Sequence, residues 1–178
     1  MRRHFQSLSA MGADMSWTGY QVSMADVYRE AGHIEEGLTV VAEALARVDR
    51  TGERFFEAEL YRARGDLLVE FVEMARQVPS ASPPNPEGPD GDGAEASFRR
   101  AISIARERGA KSHELRATIS LSRLMAKRGK REGAREMLAD LLSWFSEGFD
   151  TSDLKTASAL LSELGKSTRQ DDERIRVP

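Results

Sequence analysis

The stretch GHIEEGL at residues 32–38 decides the fold, because a related stretch, GKREGAR, recurs at residues 129–135. Each stretch follows a segment whose apolar residues have helical spacing and precedes another such segment. A glycine placed just after a helix adopts the left-handed backbone conformation at little cost. We therefore predict a tight helix–helix turn at both Gly32 and Gly129.

A second glycine series, Gly12, Gly52 and Gly109, marks the alternate turns. Its intervals are about 40 and about 57 residues, and Gly32 and Gly129 are about 97 residues apart. One register explains both series if the middle repeat holds about 17 extra residues. Residues 78–93 accommodate this excess, since they contain five of the six prolines. Such a segment has almost nothing to bury, so it is predicted to be a disordered insertion.

Apolar residues recur at three- and four-residue intervals through most of the chain, and no segment alternates with period two. The pattern predicts an all-α fold. In the predicted helix over residues 17–31, Tyr20, Met24, Val27 and Tyr28 form the apolar side. The other predicted helices cover residues 2–11, 34–50, 54–77, 94–108, 114–128, 131–145 and 152–164.

The repeat predicts one helical domain over residues 1–165, followed by a disordered tail at 166–178. Its parts are a half-repeat at 1–13, repeats at 14–52, 53–110 and 111–149, and a capping helix at 150–165. The 40-residue register aligns Phe5 and Leu8 with Leu45 and Val48. A half-repeat of this kind leaves apolar residues without their partner helix, so we expect an interface there, to an upstream domain or to a second copy in a homodimer.

The pattern of small and apolar residues resembles that of tetratricopeptide (TPR) repeats. The matching positions are Ala25, Tyr28, Gly32, Gly37, Val41 and Ala44; Gly65, Leu68, Ala94, Phe98 and Ala101; and Ser122, Met125, Gly129, Ala134, Leu138 and Leu141. The resemblance implies a right-handed superhelical solenoid of antiparallel helix pairs. The period of about 40 also overlaps the HEAT and armadillo range, which is the alternative fold.

Three stretches are similar to the C-terminal helical tails of bacterial signalling proteins that carry a predicted ATPase and often an adenylate-cyclase-type module. They are TGERFFEAELYR at residues 51–62, ASFRRAI at 96–102 and WFSEGFDTSDL at 144–154. The resemblance implies a sensing or scaffolding function for a fragment or relative of such a tail. It implies no catalysis, because this sequence contains no GxxxxGK[ST] phosphate loop.

The TPR register also implies a concave wall, built from the first helix of each pair, that binds a protein or peptide. Its expected residues are Val22, Asp26, Arg29, Glu59, Arg62, Asp66, Arg116, Ile119 and Arg123. Because arginine pairs readily with carboxylates, we expect Arg62, Arg116 and Arg123 to bind an acidic segment. The alternative function is a small-ligand-sensing receiver of a transcriptional regulator, which requires a closed apolar pocket.

Composition excludes several other classes of protein. The net charge of −3 gives no basic field, so we expect no nucleic-acid partner. The chain has no cysteine, and His4, His33 and His113 lie far apart, so we expect no metal, no cofactor and no enzymatic activity. The chain has no long apolar run and no apolar stretch after Arg2 and Arg3, which predicts a cytoplasmic protein with neither a membrane segment nor a signal peptide.

Overall fold

The computed structural model describes residues 17–77 and 89–175, with side chains over 17–77 and 93–166. These residues form seven helices and no strand, so the predicted all-α class is confirmed. The helices are α1 (Trp17–Glu30), α2 (Ile34–Thr51), α3 (Glu57–Gln77), α4 (Pro89–Glu107), α5 (Lys111–Lys127), α6 (Arg131–Leu142) and α7 (Ser152–Ile175). Among the described residues, no helix is long and apolar enough to cross a membrane.

The predicted turn glycines have the expected backbone conformation. Gly32, Gly52, Gly109 and Gly129 all have positive φ, between 66° and 79°. After α1, α4 and α5 the same hydrogen bond closes the turn, as where His33 N–H donates to Tyr28 O at 2.9 Å. This bond occupies a carbonyl that the helix end leaves without an intrahelical partner. Gly12 lies outside the described residues.

The chain divides into two compact units, residues 1–101 and 102–178, with the boundary inside α4. The predicted single domain and its repeat boundaries were drawn from sequence spacing alone, and they stay predictions. The half-repeat at 1–13, with its helix at 2–11, lies outside the described residues.

The core of the first unit lies among α1, α2 and α3, each of which packs against the other two. Its buried residues are Val22, Ala25, Ile34, Val41, Ala44, Val48, Leu60, Ala63 and Leu67. Glycine permits the closest helix approaches: a Cβ on Gly37 would lie 2.7 Å from Leu67 Cδ2. A Cβ on Gly65 would lie 2.6 Å from Cδ1 of Phe98 on α4. Side-chain bulk at these two positions is therefore limited by the facing helix.

The core of the second unit lies among α5, α6 and α7, which also pack pairwise. Its buried residues are Leu115, Ile119, Ala134, Leu138, Leu141, Leu154, Ala157, Leu160 and Leu164. Leu115 and Ile119 on α5 and Leu138 and Leu141 on α6 have the three- and four-residue spacing from which the helices were predicted. The sequence therefore placed the buried sides of these helices correctly.

The apolar side predicted for the first helix is wrong. Helix α1 buries Thr18, Val22 and Ala25, whereas Val27 is 58% exposed. The hydroxyl of the buried Thr18 donates a 2.5 Å hydrogen bond to Glu53 Oε1. Because this bond replaces the one that water would make, the polar side chain can face inward. Small residues on this side let α1 lie close to its neighbours.

Two predicted disordered segments are also corrected. Helix α4 begins at Pro89, so residues 89–93 of the predicted insertion are helical, while 78–88 lie outside the described residues. Proline is tolerated at a helix start because the first helical N–H groups need no intrahelical acceptor. Helix α7 continues to Ile175 instead of ending at Leu164, so most of the predicted tail is helical. The added residues contain no proline and several good helix formers, and they extend a helix that is already formed.

Candidate functional site

Five of the predicted wall residues lie together on one surface of the first unit. We call this surface, formed by Asp26, Arg29, Glu59, Arg62, Asp66 and Glu70, the α1–α3 charged face. Arg62 is at its centre: Nη1 donates to Asp66 Oδ2 at 2.6 Å, and Nε donates to Glu59 Oε2 at 3.0 Å. Its Nη2 lies 3.5 Å from Asp26 Oδ2 on α1. One guanidinium therefore joins two helices through three carboxylates.

The charge state of Arg62 follows from its surroundings. Its side chain is only 15% exposed. Burial lowers the pKa of Arg62, but the nearby carboxylates of Glu59, Asp66 and Asp26 outweigh that effect, so the pKa lies above the ordinary arginine value. Arg62 is thus a permanent cation that neutralises neighbouring carboxylates, of which Glu59 is the most buried.

A second ion pair extends the face towards the end of α3. Arg29 Nη1 donates to Glu70 Oε1 at 2.8 Å, and this hydrogen bond is the main reason that the pKa of Arg29 is raised. Glu70 was not among the wall residues predicted from the sequence. Its position continues the three- and four-residue spacing of Glu59, Arg62 and Asp66, so the pattern along α3 was the available signal. With Glu70 included, the face has four carboxylates and two guanidinium groups, a net charge of −2.

The other predicted wall residues do not form a comparable surface. The prediction that Val22 and Ile119 belong to the wall is wrong. Each is buried within the core of its unit and is not accessible to a partner. Their apolar side chains gain more from burial than from an exposed wall position. In the second unit, Arg116 Nε donates to Asp153 Oδ2 at 2.7 Å, and Arg123 is exposed on α5.

A buried carboxylate at the start of α5 was not predicted. Glu114, which is 2% exposed, accepts hydrogen bonds from Arg106 Nε at 2.6 Å and from Lys111 Nζ at 2.7 Å. Burial raises the pKa of Glu114, but the two hydrogen bonds outweigh it, so the pKa lies below the ordinary glutamate value. Lys111 Nζ also lies 5.2 Å from the Trp144 ring centroid. The cluster ties the turn between α4 and α5 to the residues that follow α6.

Neither ion-pair cluster has the arrangement of a metal site. The described residues contain no group of three or more His, Cys, Asp or Glu side chains that could hold a metal ion. His33 Nδ1 lies 3.3 Å from Glu36 Oε1 on an exposed turn. No protein-family model, curated protein or solved structure matches this chain.

Two half-open depressions are lined by residues outside these two clusters. One, of about 340 Å³, lies in the first unit between the α1–α2 turn and the end of α3, and its apolar walls include Ile34, Phe71 and Met74. The other, of about 450 Å³, lies in the second unit beside the Arg116–Asp153 pair. Both volumes suit a few side chains of a bound segment.

Proposed function

We propose that this chain is a TPR-type interaction module, without catalytic activity, that binds a segment of another protein on the α1–α3 charged face. The observation that carries the proposal is the convergence of Asp26, Arg29, Arg62 and Asp66 on one partly exposed surface of two helices. The resemblance to TPR repeats implies the same four residues for a peptide-binding wall. The half-open depressions favour binding of a segment at the surface over enclosure of a small ligand.

Packing at the repeat positions supports the TPR assignment. Apart from the turn glycines Gly32 and Gly129, small residues at the matching positions are buried, among them Ala25, Gly37, Gly65, Ala94, Ser122 and Ala134. In the first pair, a Cβ on Gly37 would lie 3.4 Å from Tyr28 Cβ. In the third pair, Ser122 Oγ donates to Ala134 O at 3.4 Å. Gly37 and Ala134, which the register aligns, thus each allow the two helices of their own pair to pack closely, as a repeated architecture requires.

The charge balance of the face determines which partner we propose. Arg62 is held by three carboxylates, so it has little to offer to an incoming acidic segment. The three most accessible groups are Asp26, Glu70 and Arg29, of which two are carboxylates, and the net charge of the face is negative. We therefore replace the acidic segment expected from the sequence by a segment rich in lysine or arginine. Kinship with the helical tails of signalling ATPases and cyclases, proposed from the three similar stretches, agrees with such a binding role.

Fluorescence anisotropy with two labelled peptides of equal length, one of alternating Lys and Ala and one of alternating Glu and Ala, tests this proposal. We expect the Lys peptide to bind and its affinity to fall as salt increases. The double substitution Asp26→Asn with Glu70→Gln should weaken binding at least about fivefold. Glu132→Gln is the matched control, because it removes an exposed carboxylate that pairs with Arg135 in the second unit. Equal binding of both peptides, or equal loss in the control, would show that the face is not the site.

A further inference from the structure

Helix α3 extends past the end of its counterpart α1 in the repeat. The 40-residue register aligns the first residue of α1, Trp17, with the first residue of α3, Glu57. It also aligns the last residue of α1, Glu30, with Glu70, whereas α3 continues to Gln77. The additional residues of α3 are therefore 71–77, which lengthen the helix by about 10 Å.

The apolar stripe of α3 continues into this extension. Leu60, Ala63 and Leu67 are buried in the core, and Phe71 and Met74 follow them at the same three- and four-residue spacing. Phe71 still packs against the core, but Met74 is 48% exposed. The chain turns from α1 into α2 beside this part of α3, so the last turns of the stripe are only partly covered.

The half-open depression of about 340 Å³ lies at this uncovered end of the stripe. Its apolar walls include Ile34, Phe71 and Met74, and the exposed carboxylates of Glu35 and Glu36, in the first turn of α2, lie at its rim. The other residues that line it are Gly32, His33 and Ala75. None of the lining residues is a lysine or an arginine. An apolar floor with a negative rim is complementary to an apolar side chain that has cationic neighbours.

We propose that this depression binds one large apolar side chain, of the size of leucine, from the same basic segment that binds the α1–α3 charged face. The inference rests on the function proposed above. Glu70, on the charged face, and Met74, at the depression, are four residues apart on α3, so they lie on the same side of the helix about 6 Å apart along its axis. An extended segment covers this distance in two residues. The apolar residue of the partner therefore lies two positions from a lysine or arginine.

Two labelled peptides of equal charge test the proposal by fluorescence anisotropy with the full chain. One is Lys-Ala-Lys-Ala-Leu-Ala-Lys-Ala-Lys, and the other has alanine in place of the central leucine. We expect the leucine peptide to bind about five- to twentyfold more tightly, because its side chain leaves water for the walls of the depression.

Substitutions at the depression locate this preference. Met74→Ser should reduce the difference between the peptides to within about twofold, whereas Met74→Leu should retain it. Phe55→Ser is the matched control, because Phe55 is an apolar residue, 64% exposed, that lies just before the other end of α3. It should leave the preference unchanged. Glu35→Gln combined with Glu36→Gln should weaken binding of the leucine peptide about two- to fivefold, and unchanged binding would overturn the basic neighbours of the apolar residue.

The same peptides separate failure of this inference from failure of the proposed function. Asp26→Asn combined with Glu70→Gln should weaken both peptides by a similar factor and preserve the preference for leucine. If the parent binds both peptides equally and both lose affinity in this double variant, the depression is not a site and the charged face stands. If neither peptide binds the parent, both proposals are overturned. If the preference persists while the double variant binds both peptides as the parent does, only the charged face is overturned.

Other occupants of the depression give different results. If Met74→Ser lowers the melting temperature by more than about 4 °C, the depression is covered from within its own chain and the proposal is overturned. Sedimentation velocity at the concentrations of the binding assay tests for a second copy. A dimer of the parent that Met74→Ser dissociates would also overturn the proposal, whereas a monomer that still prefers the leucine peptide supports it.

Discussion

Replacing Gly65 by alanine should destabilise the protein, although the same replacement stabilises most helices. A Cβ at this position of α3 would lie 2.6 Å from Cδ1 and 2.8 Å from Cζ of Phe98. Ordinary contacts between carbon atoms are about 3.5–4.0 Å, so the ring must move by about 1 Å. Phe98 is 1% exposed, which leaves it no free space to enter.

The size of the effect is the difference between two opposing terms. An added methyl in a packed core costs about 1–3 kcal/mol, and alanine gains about 1 kcal/mol over glycine in a helix. The new Cβ would clash with three ring atoms of the buried Phe98, so we expect a packing cost at the upper end of its range. After the helix gain is subtracted, the free energy of unfolding should fall by about 1–2 kcal/mol. In a chain of this length the melting temperature should fall by about 2–8 °C.

Gly165→Ala is the matched control for Gly65→Ala. Gly165 lies inside α7, and a Cβ there would meet no atom within 4 Å. This variant should therefore show the helix gain alone, a stabilisation of about 0.5–1 kcal/mol. Thermal and urea unfolding followed by circular dichroism measure both variants, and Phe98→Leu combined with Gly65→Ala should recover part of the loss. Equal stabilisation by both alanines would refute the close approach of α3 and α4.

The ion-pair clusters supply two further predictions. Arg62→Ala should cost about 2–4 kcal/mol in urea unfolding, because Glu59 would remain buried without its cationic partner, and a loss below about 0.5 kcal/mol would contradict the network geometry. The pKa of Glu114 is lower in the folded state than in the unfolded state. The ionised Glu114 side chain therefore contributes its full stabilisation above the ordinary glutamate pKa of about 4.3. This stabilisation is lost as the pH falls through the lower folded-state pKa. Between pH 7 and pH 3, the parent should therefore lose more stability than Glu114→Gln, and parallel curves for the two proteins would contradict the assignment.

Local features of the chain were predictable because local chemistry specifies them. Turn glycines at Gly32, Gly52, Gly109 and Gly129 could be placed from spacing, since only glycine adopts positive φ without strain. The helical spacing of apolar residues also agrees with the buried sides of α2 and α5, which include Val41 and Val48 on α2 and Leu115, Ile119 and Leu124 on α5, although α5 buries Glu114, Thr118 and Ser122 as well. The start of α4 and the end of α7 were predicted wrongly, because both helices extend into segments whose polar composition predicted disorder.

The inner side of α1 was decided by packing between helices. Hydrophobicity alone selects Tyr20, Met24 and Val27, but the buried side carries Thr18, Val22 and Ala25. Small residues occupy the buried side of α1 because the neighbouring helices approach it closely. Thr18 is the polar side chain among these three buried residues, and its hydroxyl donates a hydrogen bond to Glu53. The sequence pattern of one helix does not show how closely the next helix will pack against it.

The role of Arg62 likewise depended on the tertiary structure. The sequence placed Asp26, Glu59, Arg62 and Asp66 on one wall, and that grouping follows from helical spacing and the repeat register. It did not show that Arg62 is held between carboxylates of two helices, because Asp26 is far away along the chain and comes within 3.5 Å only when α1 packs against α3. Side-chain periodicity is thus fixed by each helix, whereas the pairing of charges between helices is fixed by the distance and rotation at which the helices pack.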